Sequence, residues 1–278
     1  MPGPMGSPRP SRRARRVVAL RAAACVALAA AAGGTADRPA AAVAASVGPG
    51  VVLLVTVDKH TWQPYEYGSA FFFDGSGDAY TASHVVADAV RDTNVMLVAV
   101  VNHAEYAARV ACWNPAMLGA PGAIGRDVAI VHVGPEVPLF PLWGFAPATS
   151  ALAAVPLRIR TSSAPPRAGA VRVVGFGGRA GHSPIPVERE GRLTGTARAP
   201  DGATILTMRF PAAAAPVNGD SGAPVVDGGV VVGLAAWVRT RAVTTEVDAV
   251  AASSFGCVAH VPAGQNPLRP TDAPIRRP

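Results

Sequence analysis

Short runs of β-branched and aromatic residues, each closed by a glycine, a proline or an Asn/Asp/Ser turn, are what most limits the folds open to this 278-residue chain. Val51–Val57, Ser69–Phe73, Val95–Val101, Ala108–Cys112 and Val128–Val133 form a first group. Val171–Gly175, Gly191–Ala197, Ile205–Phe210, Ala223–Val226, Val230–Trp237 and Gly256–Val261 form a second. The chain also holds 29 glycines and 27 prolines. Long helices are excluded by breakers that frequent, each costing about 1–3 kcal/mol in a helix interior. Between the two groups, residues 134–156 carry prolines at 135, 138, 141, 147 and 156. Proline has no N–H to give to a strand ladder, so this stretch reads as a surface connector. Two groups of about six strands joined by such a strap predict an all-β fold of two packed antiparallel barrels. The first barrel is expected over about residues 51–133 and the second over about 157–262. One helical turn is expected, beginning near His84 and running through Val90.

The net charge of +7 is not spread over this body. Residues 1–45 hold seven arginines (Arg9, Arg12, Arg13, Arg15, Arg16, Arg21, Arg38) and one acid, Asp37; the remainder has 18 basic and 17 acidic residues. No basic stripe interleaved with aromatics is left to bind nucleic acid. The leader, residues 1–45, has instead the order of a targeting segment: basic residues to Arg16, an apolar run from Val17 to Gly34, then small residues up to Ser46. Its uninterrupted apolar stretch, Ala22–Gly34, is short for a membrane span. The expectation is a cleaved secretory signal, and hence export, with an uncleaved N-terminal anchor as the alternative. No membrane association is expected of the mature domain unless the leader is kept. Residues 263–278, rich in Pro and Arg, read as a disordered tail. Cys112 and Cys257, the cysteines outside the leader, suffice for one disulfide in an exported protein. They fit two separate buried thiols equally well. No cysteine or histidine spacing suggests zinc.

The chemistry is concentrated in three segments. In Asn218-Gly219-Asp220-Ser221-Gly222-Ala223-Pro224, glycines flank a serine, letting the backbone take φ values forbidden to other residues. The N–H groups of Gly219 and Ser221 are then placed to form an oxyanion hole. A serine hydroxyl needs a base, and the base needs an orienting group. Thr81-Ala82-Ser83-His84 supplies a histidine where a strand yields to a helical turn, and Arg126-Asp127-Val128-Ala129-Ile130 a carboxylate at the entry of an apolar strand. Taken singly, each has a plain reading as a solvated turn, a core histidine or a turn carboxylate. They occur in the order His, Asp, Ser, spaced by 43 and 94 residues.

These segments resemble the triad blocks of the trypsin-like (chymotrypsin-fold) serine proteases. Thr-Ala-Ser-His is similar to that family's Thr-Ala-Ala-His, Asp127-Val128-Ala129-Ile130 to its Asp-hydrophobic-Ala-Leu, and Gly219–Pro224 to its Gly-Asp-Ser-Gly-Gly-Pro. Gly68-Ser69-Ala70-Phe71 with Asp74-Gly75 resembles the strand and turn before the histidine in bacterial-type members. The similarity spans about Val51 to Val261. It implies a protease domain over residues 46–262 that cuts peptide or protein substrates and uses no cofactor or metal. Ser221 is the implied nucleophile, His84 the base, Asp127 the orienting carboxylate, and Gly219 and Ser221 the oxyanion donors.

The same resemblance places the primary specificity pocket. Ala215 falls at its base, where no acid is present to pair with arginine or lysine. Ala236, Trp237 and Val238 fall on one wall and Gly256 on the other, implying cleavage after small or aliphatic residues. Departures are also visible. There is no Ile-Val-Gly-Gly-like N-terminus to pair with Asp220, which is left to another cation or to stabilising its own turn. No peptide-binding domain follows. A scaffold protein of the same fold and a serine esterase are the rival readings, since fold alone does not choose among them.

Overall fold

The computed structural model describes residues 47–115, 123–134, 146–147, 151–178, 185–240, 244–257 and 259–261. The expected leader and tail lie outside these residues, as does most of the 134–156 connector.

The first barrel is built on β1 (Val51–Asp58) and β4 (Val95–Val101), whose Val/Leu-rich sequences are buried along almost their whole length. Such near-continuous apolar runs suit strands covered on both faces. β1 lies between β2 (Pro64–Phe72) and β4, pairing antiparallel with both. β3 (Asp78–Thr81) pairs with β2 and with β6 (Ala129–Val133). β5 (Ala104–Trp113) pairs with β4 and β6 and closes the ring of six. Between β3 and β4 the chain forms helix α1 (Ser83–Arg91), which buries Val85, Val86 and Ala89. Its N-cap residue, Ala82, offers no side-chain cap, so packing of that apolar face carries most of the helix's stability. A two-residue β7 (Ala146–Pro147) lies parallel to β5.

The second barrel is a closed ring of β8 (Gly169–Gly175), β9 (Val187–Arg198), β10 (Thr204–Pro211), β13 (Thr244–Ala251), β12 (Val230–Thr240) and β11 (Pro224–Asp227). Its core gathers Val173, Leu206, Met208, Phe210, Val225 and Val247. The incoming chain is pinned first to one barrel and then to the other: Leu157 N–H donates to Phe72 O (2.8 Å) and Arg160 N–H to Val231 O (2.9 Å).

Two antiparallel barrels match the architecture expected from the sequence, with one reassignment. The run Gly256–Val261 is not a strand of the second barrel. Its paired part, β14 (Ala259–His260), returns to the first barrel and joins the edge of β5, where Cys257 is disulfide-bonded to Cys112. The sixth strand of the second barrel is β13, whose Glu246 and Asp248 interrupt the apolar run that would have marked it. Asp248 is nonetheless buried and accepts a hydrogen bond from Thr207 Oγ1 at 3.3 Å.

Candidate active site

His84 sits in the first turn of α1 and Asp127 immediately precedes Val128 and β6. Pairing of β3 with β6 puts Thr81 opposite Ala129, so the residues that follow the one strand and precede the other meet at one end of the barrel. Asp127 is fully buried, and its Oδ2 lies 2.7 Å from His84 Nδ1 while its Oδ1 accepts the His84 backbone N–H at 3.1 Å. The carboxylate thus fixes both the ring and the backbone of one residue. Burial by itself would lower the His84 pKa. The hydrogen bond and negative charge of Asp127, with the charge of Glu66, outweigh it and raise the ring above its ordinary value. The loop carrying Asp127 leans on the second barrel through an Arg126–Asp201 ion pair, Nε to Oδ2 3.1 Å.

Ser221 lies on the facing loop. Asp220 N–H donates to Val217 O at 3.0 Å, and Gly219, the third residue of that turn, has φ +98°. These are the marks of a type II turn, in which the third position favours glycine. The carbonyl of Asn218 accepts the Gly178 N–H at 3.1 Å. In a trans peptide the C=O and N–H point opposite ways, so the Gly219 N–H is turned away from Gly178. The loop is held against the first barrel by Ser69. Its N–H donates to Ser221 O (2.7 Å), its Oγ donates to Gly219 O (2.7 Å), and the same Oγ accepts the Phe176 N–H (3.0 Å). Gly222, at φ +85°, packs so tightly that a Cβ there would run into Ser69 O, Thr81 Oγ1 and the Ala82 nitrogen. The serine loop is therefore seated directly on the segment that leads into His84.

Asp220 is buried and turned inward. Its Oδ2 accepts Arg189 Nε at 2.7 Å and the Val217 N–H at 2.9 Å, and its Oδ1 accepts the Gly177 N–H at 2.8 Å. Arg189 also donates through Nη2 to Gly177 O at 2.8 Å. The cation left open by the sequence is therefore Arg189, on β9.

Beside Ser221 a cavity of about 210 Å³ opens between the 216–220 loop, Ala235 and Ala236 of β12, and Val247 of β13. Of the pocket residues expected from the sequence, Ala236 lines this cavity. Trp237 and Val238 follow it on β12, paired with Asp248 and Val247. Ala215 is buried in the core of the second barrel, and Gly256 lies near Asn114, whose Nδ2 donates to its carbonyl at 3.3 Å. Neither is among the lining residues. Val247, Ser69, Gly177 and Arg189 are placed at the site by the structure without having been singled out for it. Only Ser69 carried a signal, as part of the Gly68–Phe71 block; Arg189 stands in an alternating charged run, Glu188 to Arg192, with nothing to distinguish it.

Comparison with known proteins agrees with this fold. The family model for a trypsin-like peptidase domain matches residues 68–234, a stretch that includes His84, Asp127 and Ser221. Among solved structures the chain is similar to the HtrA-type protease AlgW with tripeptide, at TM-score 0.53 and 19% identity over 77% of this chain and 60% of that one. It is similar to the active form of the Rv3671c protease from M. tuberculosis, at TM-score 0.51 and 20% identity over 81% of this chain and 87% of that one. A serine endoprotease from Yersinia pestis aligns at TM-score 0.50 and 14% identity, over 75% of this chain and 61% of that one. At these identities the likeness is one of fold. The aligned part spans about six tenths of the HtrA-type protease. None of the curated proteins matches the chain.

Proposed function

The chain belongs to the trypsin-like peptidase family, and on that premise we propose that it is a serine endopeptidase working through His84, Asp127 and Ser221. The observation that carries the reading is the buried Asp127 carboxylate 2.7 Å from His84 Nδ1, next to a serine loop seated on the same segment. With Nδ1 engaged by the carboxylate, the other ring nitrogen is left in the basic tautomer. It takes the Ser221 hydroxyl proton as Oγ bonds to the substrate carbonyl carbon. The carbonyl oxygen becomes an oxyanion received by the Gly219 and Ser221 N–H groups, a contribution of about 3 kcal/mol per donor. Collapse breaks the C–N bond, and the imidazolium returns the proton to the leaving amine. Water then attacks the acyl-enzyme by the same steps, releasing the acid and restoring Ser221.

Ala235, Ala236 and Val247 in the lining support cleavage after small or medium aliphatic residues, and the one charged residue there, Asp220, is already paired with Arg189. The arrangement of residues 1–45 supports export of the domain, with retention by an uncleaved anchor as the alternative. Labelling by a fluorophosphonate tests the nucleophile: the full chain is expected to react, and Ser221→Ala not to. Absence of labelling in the wild type favours a scaffold role instead. Cleavage of a peptide library then separates a peptidase from an esterase.

A further inference from the structure

Ser83 stands where the family block Thr-Ala-Ala-His has alanine, and it is fully buried. Its hydroxyl donates to the carbonyl of Val128 at 2.7 Å and accepts the N–H of Asn114 at 3.0 Å. Ser83 immediately precedes His84, and Val128 immediately follows Asp127. One hydroxyl therefore joins the backbone on either side of the His84–Asp127 hydrogen bond. Asn114, also buried, follows β5 and shares its Nδ2 between Val128 O (3.4 Å) and Gly256 O (3.3 Å). Gly256 adjoins Cys257, which is bonded to Cys112 of β5. β14 continues the attachment, with Ala259 opposite Trp113 and the Val261 N–H on Ala111 O at 3.1 Å. The chain beyond the second barrel thus returns to the first and meets, at Gly256, the side-chain amide of Asn114, the residue whose backbone N–H donates to Ser83.

We propose that Ser83 is a positioning residue for the His84–Asp127 pair, and that the Cys112–Cys257 strap acts on that pair through Asn114. A buried hydroxyl shared by one donor and one acceptor has a single orientation, so it fixes the approach of the two segments it joins. Removing it leaves the buried Asn114 N–H to find another partner and the Val128 carbonyl with only its longer bond from Asn114 Nδ2, and the segments separate or twist in response. The strap prevents the Asn114 side of the network from relaxing. The inference rests on the peptidase reading for its consequence in catalysis but not for its geometry.

Its test uses both. In a Ser221→Ala background, where no turnover is needed, the His84 ring is titrated by NMR. Among the groups acting on that ring are Asp127 from the first barrel and Glu66 from β2, and Asp88 of α1 acts on Glu66 in turn. The raised His84 value is expected to fall back toward the ordinary one in Ser83→Ala, a change that merely restores the family block and so spares the fold. Asn114→Ala is expected to do the same, and the two together no more than either alone, as coupled residues behave. Cys257→Ala, which touches neither, is expected to move it in the same direction. With Ser221 present, Ser83→Ala is expected to lower kcat about tenfold with KM unchanged, as for a small misplacement of a reacting group. An unchanged titration and an unchanged kcat in Ser83→Ala overturn the proposal and leave the peptidase reading standing. Failure of the wild type to label at Ser221 sinks that reading, while the titration still decides the role of Ser83.

Discussion

The buried Asp220 carboxylate is ion-paired with the partly buried Arg189, Nε to Oδ2 2.7 Å, directly behind the loop that carries Ser221. The pair does more than neutralise charge. Asp220 receives the Gly177 and Val217 N–H groups, Arg189 holds the Gly177 carbonyl, and the neighbouring Gly178 N–H holds the Asn218 carbonyl. The Asn218–Gly219 peptide is therefore oriented by a network that includes a cation of the second barrel, Arg189.

Arg189→Ala is expected to leave the buried Asp220 carboxylate without its cation. Removing one partner of a buried pair costs about 3–5 kcal/mol, so the melting temperature should drop measurably. Fluorophosphonate labelling should slow by about 100-fold or more as an oxyanion donor loses its orientation. Labelling at the wild-type rate in a folded Arg189→Ala protein would show that the loop is ordered by something else.

Gly222→Ala is expected to be worse than an ordinary glycine substitution. The left-handed conformation at φ +85° costs an alanine roughly 1–2 kcal/mol, and its methyl would also meet Ser69 O and Thr81 Oγ1. The serine loop must lift off the segment leading to His84. Thermal melting and labelling together check this: both should fall, and Gly228→Ala, at φ +56° with open space around it, should cost stability without loss of labelling.

Activity and stability are expected to respond to pH in opposite senses around His84. Its pKa is raised on folding, by the hydrogen bond and charge of Asp127 against the opposing effect of burial. The favourable ion pair is complete below the unfolded value near 6.5 and fades as pH climbs through the folded one. The base, however, works only when neutral, so the rate rises over that window and is lost on acidification. Glu66→Gln removes one of the charges that raise the ring, and should carry the acid limb of kcat/KM to lower pH. A profile flat between about pH 5 and 8 would remove His84 from the role of base.

What the sequence made legible follows from which interactions are local. His84, Asp127 and Ser221 stand in blocks whose neighbours are constrained by strand ends and by glycines such as Gly222, so type and spacing single them out as candidates. Strand β13 was hidden because Glu246 and Asp248 break its apolar pattern, and the burial of Asp248 is a tertiary fact. The run Gly256–Val261 has strand character, but composition does not say which edge a strand will join. That is decided by Cys112 and β5. Arg189 was hidden for a similar reason: its partner lies 31 residues away, and among alternating Glu and Arg only the closed barrel selects one of them to face inward.

The last prediction concerns Val247, which lines the cavity beside Ser221 in company with Ala235 and Ala236 and is itself buried in the core of the second barrel. Its isopropyl group is larger than the methyl groups of Ala235 and Ala236, so it is expected to restrict a side chain entering beside Ser221. Val247→Ala removes two methyl groups from that surface without touching the serine loop. One methylene in an apolar pocket is worth about 1–3 kcal/mol in transition-state discrimination, so preference should move from alanine and valine toward leucine or phenylalanine by about tenfold or more. Comparison of kcat/KM for matched peptides differing at that one residue measures the shift. Arginine should remain a poor substrate in both proteins, since the lining residues Ala235 and Ala236 offer no charge and the Asp220 carboxylate is already held by Arg189. An unchanged ranking after Val247→Ala would place the specificity pocket elsewhere on the second barrel.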